Sequence, residues 1–238
     1  MLQDCARLLS KLFSVCITDR TNSLESSKKW AVLFIVNLLF RIYFNLKNTR
    51  LCANIIRAIE NPNEEFPSFD QFPTSERVTW YYYRSRIYIS DSLFTDALSH
   101  LKLAYILIPE QWSDDNSNAF SGFTTGNQTN SFYKNKQTIL IYLTAMMILV
   151  EGRLPKESLL TRFKLSHLYS KLCHSIRNVN LQQYSTELQK AQYTLIRLDL
   201  YFVFQVEIRQ ILYKYLFRLI YECYKSEGRL PITIVALG

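Results

Sequence analysis

Residues 139–150, ILIYLTAMMILV, hold no charge and lie between the basic lead-in KNKQ and a Gly-Arg-Leu-Pro stop. Ile139, Tyr142, Leu143, Met146, Met147 and Val150 recur at steps of three and four, the spacing of one helical face, and Ile141, Ala145, Ile148 and Leu149 make the other sides apolar too. A helix apolar all round is buried. The run is shorter than the ~20 apolar residues a bilayer span needs, and Asn135, Lys136 and Gln137 in front of it supply no membrane anchor. Residues 134–155 are therefore predicted to form a core helix on which neighbours pack.

The rest of the chain repeats that logic with little turn material. Five Gly and six Pro among 238 residues leave few sites for tight strand turns, while Leu, Ile, Tyr and Phe recur at helical spacing from end to end. This predicts an all-α fold in one elongated helical array, and a 48% hydrophobic content gives it a core to bury. The five cysteines, Cys5, Cys16, Cys52, Cys173 and Cys223, are odd in number and scattered, without a CxxC pair, and read as small core residues of a reducing compartment. Twenty-eight Lys and Arg against twenty Asp and Glu give a formal charge of +8, which favours nucleic acid, an acidic partner or an anionic surface without choosing among them.

In chain order, residues 1–16 form an amphipathic helix carrying Leu2, Cys5, Leu8, Leu9, Leu12 and Phe13, with charges too frequent for a secretory signal. Residues 30–40, WAVLFIVNLLF, are uncharged but too short to span a membrane, and sit in a helix over 27–48, followed by another over 49–60. The acidic, proline-rich 61–73 reads as an ordered connector. Ser75 caps a helix to residue 90, paired with a helix over 93–108 in a tetratricopeptide-like hairpin with Ala97 and Ala104 at the close approach. Residues 110–133, rich in Asn, Ser, Thr and Gly, read as a flexible surface insert. Pro155 opens a short helix to 163, further helices cover 165–177 and 181–195, and residues 199–225 form the longest. Its inward face is predicted to carry Val206, Ile208, Ile211, Leu212, Tyr215, Leu216, Leu219 and Cys223.

The segments LCANIIRAIE, SERVTWYYYRSRIYISDSLFTDALSHLKLAY, KNKQTILIYLTAMMILVEGRLPKESLL and LYSKLCHSIRNVNLQQYSTELQKAQYTLIRLDLYFVFQVEIRQILYKYLFRLIY resemble the PCI-domain proteins of the Thp/Sac-type mRNA-export (transcription-export complex 2) and COP9-signalosome-subunit-12-like group. The resemblance runs from about Leu51 to the C-terminus. It implies a right-handed superhelix of TPR-like hairpins ending in a winged helix, of which residues 227–238, EGRLPITIVALG, resemble the opening alone. The implied division is 1–60 as N-terminal helices, 61–226 as the PCI-type repeat region and 227–238 as the incomplete winged-helix segment. Two motifs depart from the family: its Tyr-Tyr-x-Gly-Arg is Tyr82-Tyr83-Arg84-Ser85-Arg86, and its Asn-Lys-Arg is Asn135-Lys136-Gln137.

No catalytic set, metal cluster or cofactor loop emerges: His100, His167 and His174 fall on separate helices or faces, and Cys173 beside His174 points to a different side of its helix. The expectation is a non-enzymatic protein without cofactor or metal. Trp80, Tyr81, Tyr82 and Tyr83 could stack bases, but four consecutive helical residues face all directions and fit packing better. Arg77, Arg84 and Lys102 along one hairpin, with Lys134, Lys136 and Arg153 at the two ends of the core helix, are the candidate nucleic-acid contacts, each otherwise an ordinary solvated charge. Ile232, Ile234, Val235 and Leu237 are the candidate partner contacts, apolar residues with no local core.

The resemblance implies a nuclear scaffold, also compatible with the cytoplasm, in a PCI complex linking transcription to mRNA export. Its partners would be a Sac-type scaffold, a small acidic Sem-type protein and RNA or DNA, with no membrane. The alternatives are a COP9-signalosome-like subunit and a helical-repeat adaptor without nucleic-acid binding. Limited proteolysis is expected to cut first within 110–133, whose composition does not offset the cost of ordering; first cleavage inside 139–150 would overturn the core-helix reading.

Overall fold

The computed structural model describes residues 1–20, 26–60, 66–109 and 126–226, the last with backbone alone over 126–131. Residues 227–238, expected to resemble the opening of a winged helix and carrying Ile232, Ile234, Val235 and Leu237, and most of the expected insert lie outside the described residues. The described residues contain helices and no strand, an all-α helical-repeat fold of the PCI-like kind. They fall into two compact units, Met1–Phe132 and Tyr133–Gly238.

In the first unit, α1 (Leu2–Ile17) packs on α2 (Val32–Asn45), α2 meets α3 (Cys52–Glu60) and α4 (Thr74–Ser90), and α4 pairs with α5 (Phe94–Leu107). The uncharged stretch of α2 is the centre of this unit: Val32, Leu33, Val36, Leu39 and Phe40 are buried. Among the described residues no helix is long and apolar enough to cross a membrane. The connector is ordered where it is described. Ser68 N–H donates to Gln71 Oε1 at 3.1 Å, and Phe72 is buried with its ring 5.5 Å from that of Trp30. The α4–α5 approach needs small residues, and Ser85, Ala97 and Ala104 are fully buried. Ser85 satisfies its hydroxyl by donating to Tyr82 O at 2.7 Å, so it brings no orphaned polar atom into the packed interior.

In the second unit, α6 (Gly126–Met146) passes into a π-turn at Met147–Glu151 and is followed by α7 (Glu157–Arg162), α8 (Ser166–Arg177) and α9 (Leu181–Arg197). A π-turn at Val203–Ile208 then leads into α10 (Arg209–Ser226). The helix expected from 134 starts at Gly126, inside the Asn/Ser/Thr/Gly stretch assigned to the insert, because helical hydrogen bonding propagates through residues of poor propensity once a long apolar run anchors them. With the π-turn before it, α10 belongs to a continuous helical run over 201–226, close to the expected 199–225 and as long as the run over 126–151. The core face falls on Ile139, Leu140, Tyr142, Leu143, Ala145, Met146 and Ile148, while Met147 is half-buried and Val150 exposed. The π-turn accounts for the change, since its wider turn rotates the residues after Met146 out of α-helical register. The short helix starts at Glu157 behind Lys156, so Pro155 precedes it rather than occupying its first turn.

Two buried tyrosines tie this unit together through backbone carbonyls. Tyr169 OH donates to Ile141 O of α6, and Tyr184 OH of α9 donates to Phe204 O at 2.6 Å. The second acceptor lies within a π-turn, where the altered backbone pairing makes a side-chain donor valuable. Burial pushes both phenols well above their ordinary range, so they stay neutral donors.

Helix reversals share one solution. After α2, α4, α7, α8 and α9 a residue takes left-handed backbone, at Lys47, Ser92, Lys164, Val179 and Asp199 with φ of 54°, 60°, 53°, 50° and 58°. At each, the following N–H reaches back five residues, as in Leu93 N to Tyr88 O at 2.8 Å and Leu200 N to Leu195 O at 2.9 Å. Not one of the five is glycine. Val179, β-branched, is the most strained, and left-handed backbone costs a non-glycine residue roughly 1–2 kcal/mol. Val179→Asn is therefore expected to raise stability by about 1 kcal/mol in a denaturant titration, while Met146→Asp, an unpaired charge in a sealed site, should lower it by at least about 3 kcal/mol. An unchanged midpoint for Met146→Asp would show that α6 is peripheral.

Candidate interaction surfaces

The basic residues read from the sequence divide by what already holds them. Arg77 pairs with Asp70 at 3.2 Å and Arg84 with Glu60 at 2.8 Å, and their side chains are 17% and 12% exposed. The Arg84 guanidinium also lies 4.2 Å from the centroid of the Tyr88 ring. Both arginines are thus occupied inside the first unit, one tying α4 to the connector and the other tying it to α3. Lys102 is half-buried on α5. In the second unit Lys134 is exposed, Lys136 is half-buried, and Arg153, 74% exposed, stands 3.5 Å from Glu151. Lys134 and Lys136 share one stretch of α6, while Arg153 lies beyond its π-turn, about 28 Å along the helix at 1.5 Å per residue.

The aromatic run Trp80–Tyr83 is packing. Trp80 is buried and stacked against Phe40 at 5.4 Å between ring centroids; Tyr81 meets Phe69 edge-on and Tyr83 meets Phe44 at a tilt. Arg86 lies 4.3 Å over the Phe44 ring. His100 is wedged between Tyr81 and Tyr88 at 5.4 and 5.0 Å, its Nδ1–H donating to Asp96 O at 3.0 Å, and burial lowers its pKa, which keeps it neutral. Cys173 is buried and its thiol is pushed up to about 12, whereas His174 is exposed and meets the Asn178 side chain at 2.9 Å. Neither is a nucleophile or a ligand in this arrangement. Among the described residues no group of three or more His, Cys, Asp or Glu is placed to hold a metal.

Cys16, Cys52 and Cys173 are core residues as expected, but Cys5 and Cys223 are exposed. Cys223 belongs to a larger departure on the last helix. Ile208 and Leu212 are buried, but Tyr215 and Leu219, continuing the same stripe, are 38% and 47% exposed, and Val206 is exposed as well. Of the residues assigned to the inward face, Ile208 and Leu212 are buried and Ile211 and Leu216 half-buried, while Val206, Tyr215, Leu219 and Cys223 are exposed, because periodicity does not contain how far the neighbouring helices extend along the stripe. Phe217 and Tyr224 add exposed aromatic surface, and Lys214, Arg218 and Lys225 set positive charge beside it. Tyr215 and Leu219 carry a core stripe on into solvent beside the Arg218–Glu222 pair at 3.3 Å, while Phe217 and Tyr224 stand about half a turn round the helix from them.

If Arg84 serves the fold, Arg84→Ala should lower stability by about 2 kcal/mol, with Glu60 left unpaired, while Lys134→Ala should change it by less than about 0.5 kcal/mol. Equal effects in urea melts would contradict this division.

No family model matches the chain. It is 31% identical over 225 residues to PCI domain-containing protein 2 homolog of Dictyostelium discoideum, covering 94% of this chain and 46% of that protein. It is 30% identical over 238 residues to PCI domain-containing protein 2 of Xenopus laevis, covering 100% and 53%. It is 29% identical over 232 residues to protein CSN12 homolog of Neurospora crassa, covering 95% and 47%. The chain thus spans about half the length of the curated relatives it matches. These relatives support a PCI-domain protein of the CSN12-like family.

Proposed function

We propose that this PCI-type chain is a non-enzymatic scaffold subunit of a nuclear complex that links transcription to mRNA export. The observation that supports the scaffold reading is similarity along all 238 residues of this chain to 53% of PCI domain-containing protein 2 of Xenopus laevis. Exposed Tyr215 and Leu219 on α10 support it, since a core stripe that runs on uncovered suits a partner with apolar groups. In this reading a Sac-type scaffold and a small acidic Sem-type protein are the partners, with Ile232, Ile234, Val235 and Leu237 extending the contact. RNA or DNA meets Lys134 and Lys136 on α6, with Lys102 and Arg153 as separate candidate contacts; Arg77 and Arg84, already ion-paired, contribute little.

The alternative is a subunit of a COP9-signalosome-like complex, favoured by the similarity to CSN12 homologues. Affinity purification with identification of the co-purifying subunits separates the two: a Sac-type and a Sem-type protein are expected, and recovery of signalosome subunits in their place would favour the alternative. Removing residues 232–238 should abolish that capture while leaving helical circular dichroism unchanged. Single-stranded RNA should be shifted weakly by the chain alone, with affinity falling steeply as salt rises; a salt-independent shift would exclude phosphate contacts.

A further inference from the structure

α1 carries a wider apolar face than its own hairpin covers. Ala6, Phe13 and Cys16 are buried, but Leu8, Leu12 and Val15 are 62%, 52% and 55% exposed, and Cys5 is exposed with them. Met1, Cys5, Leu8, Leu12 and Val15 succeed one another at alternating steps of four and three, the spacing of a coiled-coil seam. Cys5 and Leu12 take the a positions and Met1, Leu8 and Val15 the d positions. Asp4 and Lys11 then fall at successive g positions on one rim.

We propose that this seam pairs with the same seam of a second copy of the chain, the two α1 helices running antiparallel about a two-fold axis. The register follows from self-complementarity. An antiparallel pair sets a residues against d residues, so Cys5 lies opposite Leu8 of the second copy, and Met1 opposite Leu12 of the second copy. In that same register g faces g, so Asp4 of each copy meets Lys11 of the other and both rim pairs are opposite in charge. A parallel pair would set Asp4 and Lys11 toward Leu9 and Cys16, with no charge to meet. Asp4 already holds Arg7 and the N-terminal ammonium within its own helix, both on the exposed side, and a carboxylate has lone pairs left for a third donor. Two heptads bury less than the ~1,200 Å² of a standard interface, so the dimer is weak and concentration-dependent.

Sedimentation equilibrium of the full chain in reducing buffer, over a wide concentration series, tests this. A reversible dimer is expected. Leu8→Glu should weaken it more than about tenfold by burying a charge in the seam. Asp4→Lys should weaken it through like charges across the rim, and Asp4→Lys combined with Lys11→Asp should restore it, because the swapped pairs are again opposite. These positions are exposed, so the melting curves should match that of the parent. In a separate oxidative experiment, Leu8→Cys should give a disulfide-linked dimer through Cys5 of the second copy, lost when Cys5→Ser is added. A monomer at every concentration, a dimer indifferent to Leu8→Glu, or a double swap as weak as the single one would each overturn the proposal.

Discussion

Antiparallel helix packing throughout both units depends on how sharply the chain reverses. Five of the reversals fix one residue in left-handed backbone and bond the next N–H five residues back, which stops the helix within a single residue and turns the chain toward its neighbour. Leu93, Leu165 and Leu200 each follow such a residue and make that backward bond. Leu165 and Leu200 are also buried, so there the turn and the core are joined by one residue. Glycine would relieve the local strain but would free the unfolded chain as well. Lys, Ser, Val and Asp hold these positions instead, and packing on either side sustains the conformation.

This explains what could be read from the sequence and what could not. Helix existence was legible, because apolar residues at steps of three and four leave few other solutions, and α2, α4, α5, α8 and α9 fall near where periodicity put them. The scarcity of glycine pointed to helices without showing how they are joined, since a left-handed lysine or valine has no sequence signature. The π-turns at Met147–Glu151 and Val203–Ile208 were equally silent. They depend on contacts far along the chain, such as Tyr184 OH reaching Phe204 O across twenty positions, and each shifts the helical register after it.

The charge told a similar story. A formal +8 invites a nucleic-acid face, yet the structure assigns Arg77 and Arg84 to carboxylates on neighbouring segments and lays Arg84 and Arg86 on aromatic rings. A largely buried arginine serves packing, because moving it to a phosphate would give up the contacts of its stem and its ring stacking, while its carboxylate partner is exposed enough to stay solvated. Exposure therefore sorts the cations better than sequence position does. Lys134, Arg153, Lys214 and Lys225 are exposed in the second unit, as are Lys11, Lys28, Arg41, Arg50 and Arg57 in the first.

The first and last described helices share a feature that bears on what such an array is for. Helical repeats that end in solvent are capped by polar outer faces, since an apolar terminal face would aggregate. α1 exposes Leu8, Leu12 and Val15, and α10 exposes Tyr215, Phe217 and Leu219. Each helix buries one part of its apolar circumference within its own unit and leaves another uncovered, so the faces are continuations of core stripes rather than scattered surface leucines. They also differ in kind. The α1 strip is aliphatic with Asp4 and Lys11 on its rim, whereas Tyr215 and Leu219 on α10 extend the stripe that holds Ile208 and Leu212 and lie beside the Arg218–Glu222 pair. How much of such a stripe meets solvent is set by where the neighbouring helices stop, which is why the spacing of apolar residues predicts the stripe and not its uncovered end.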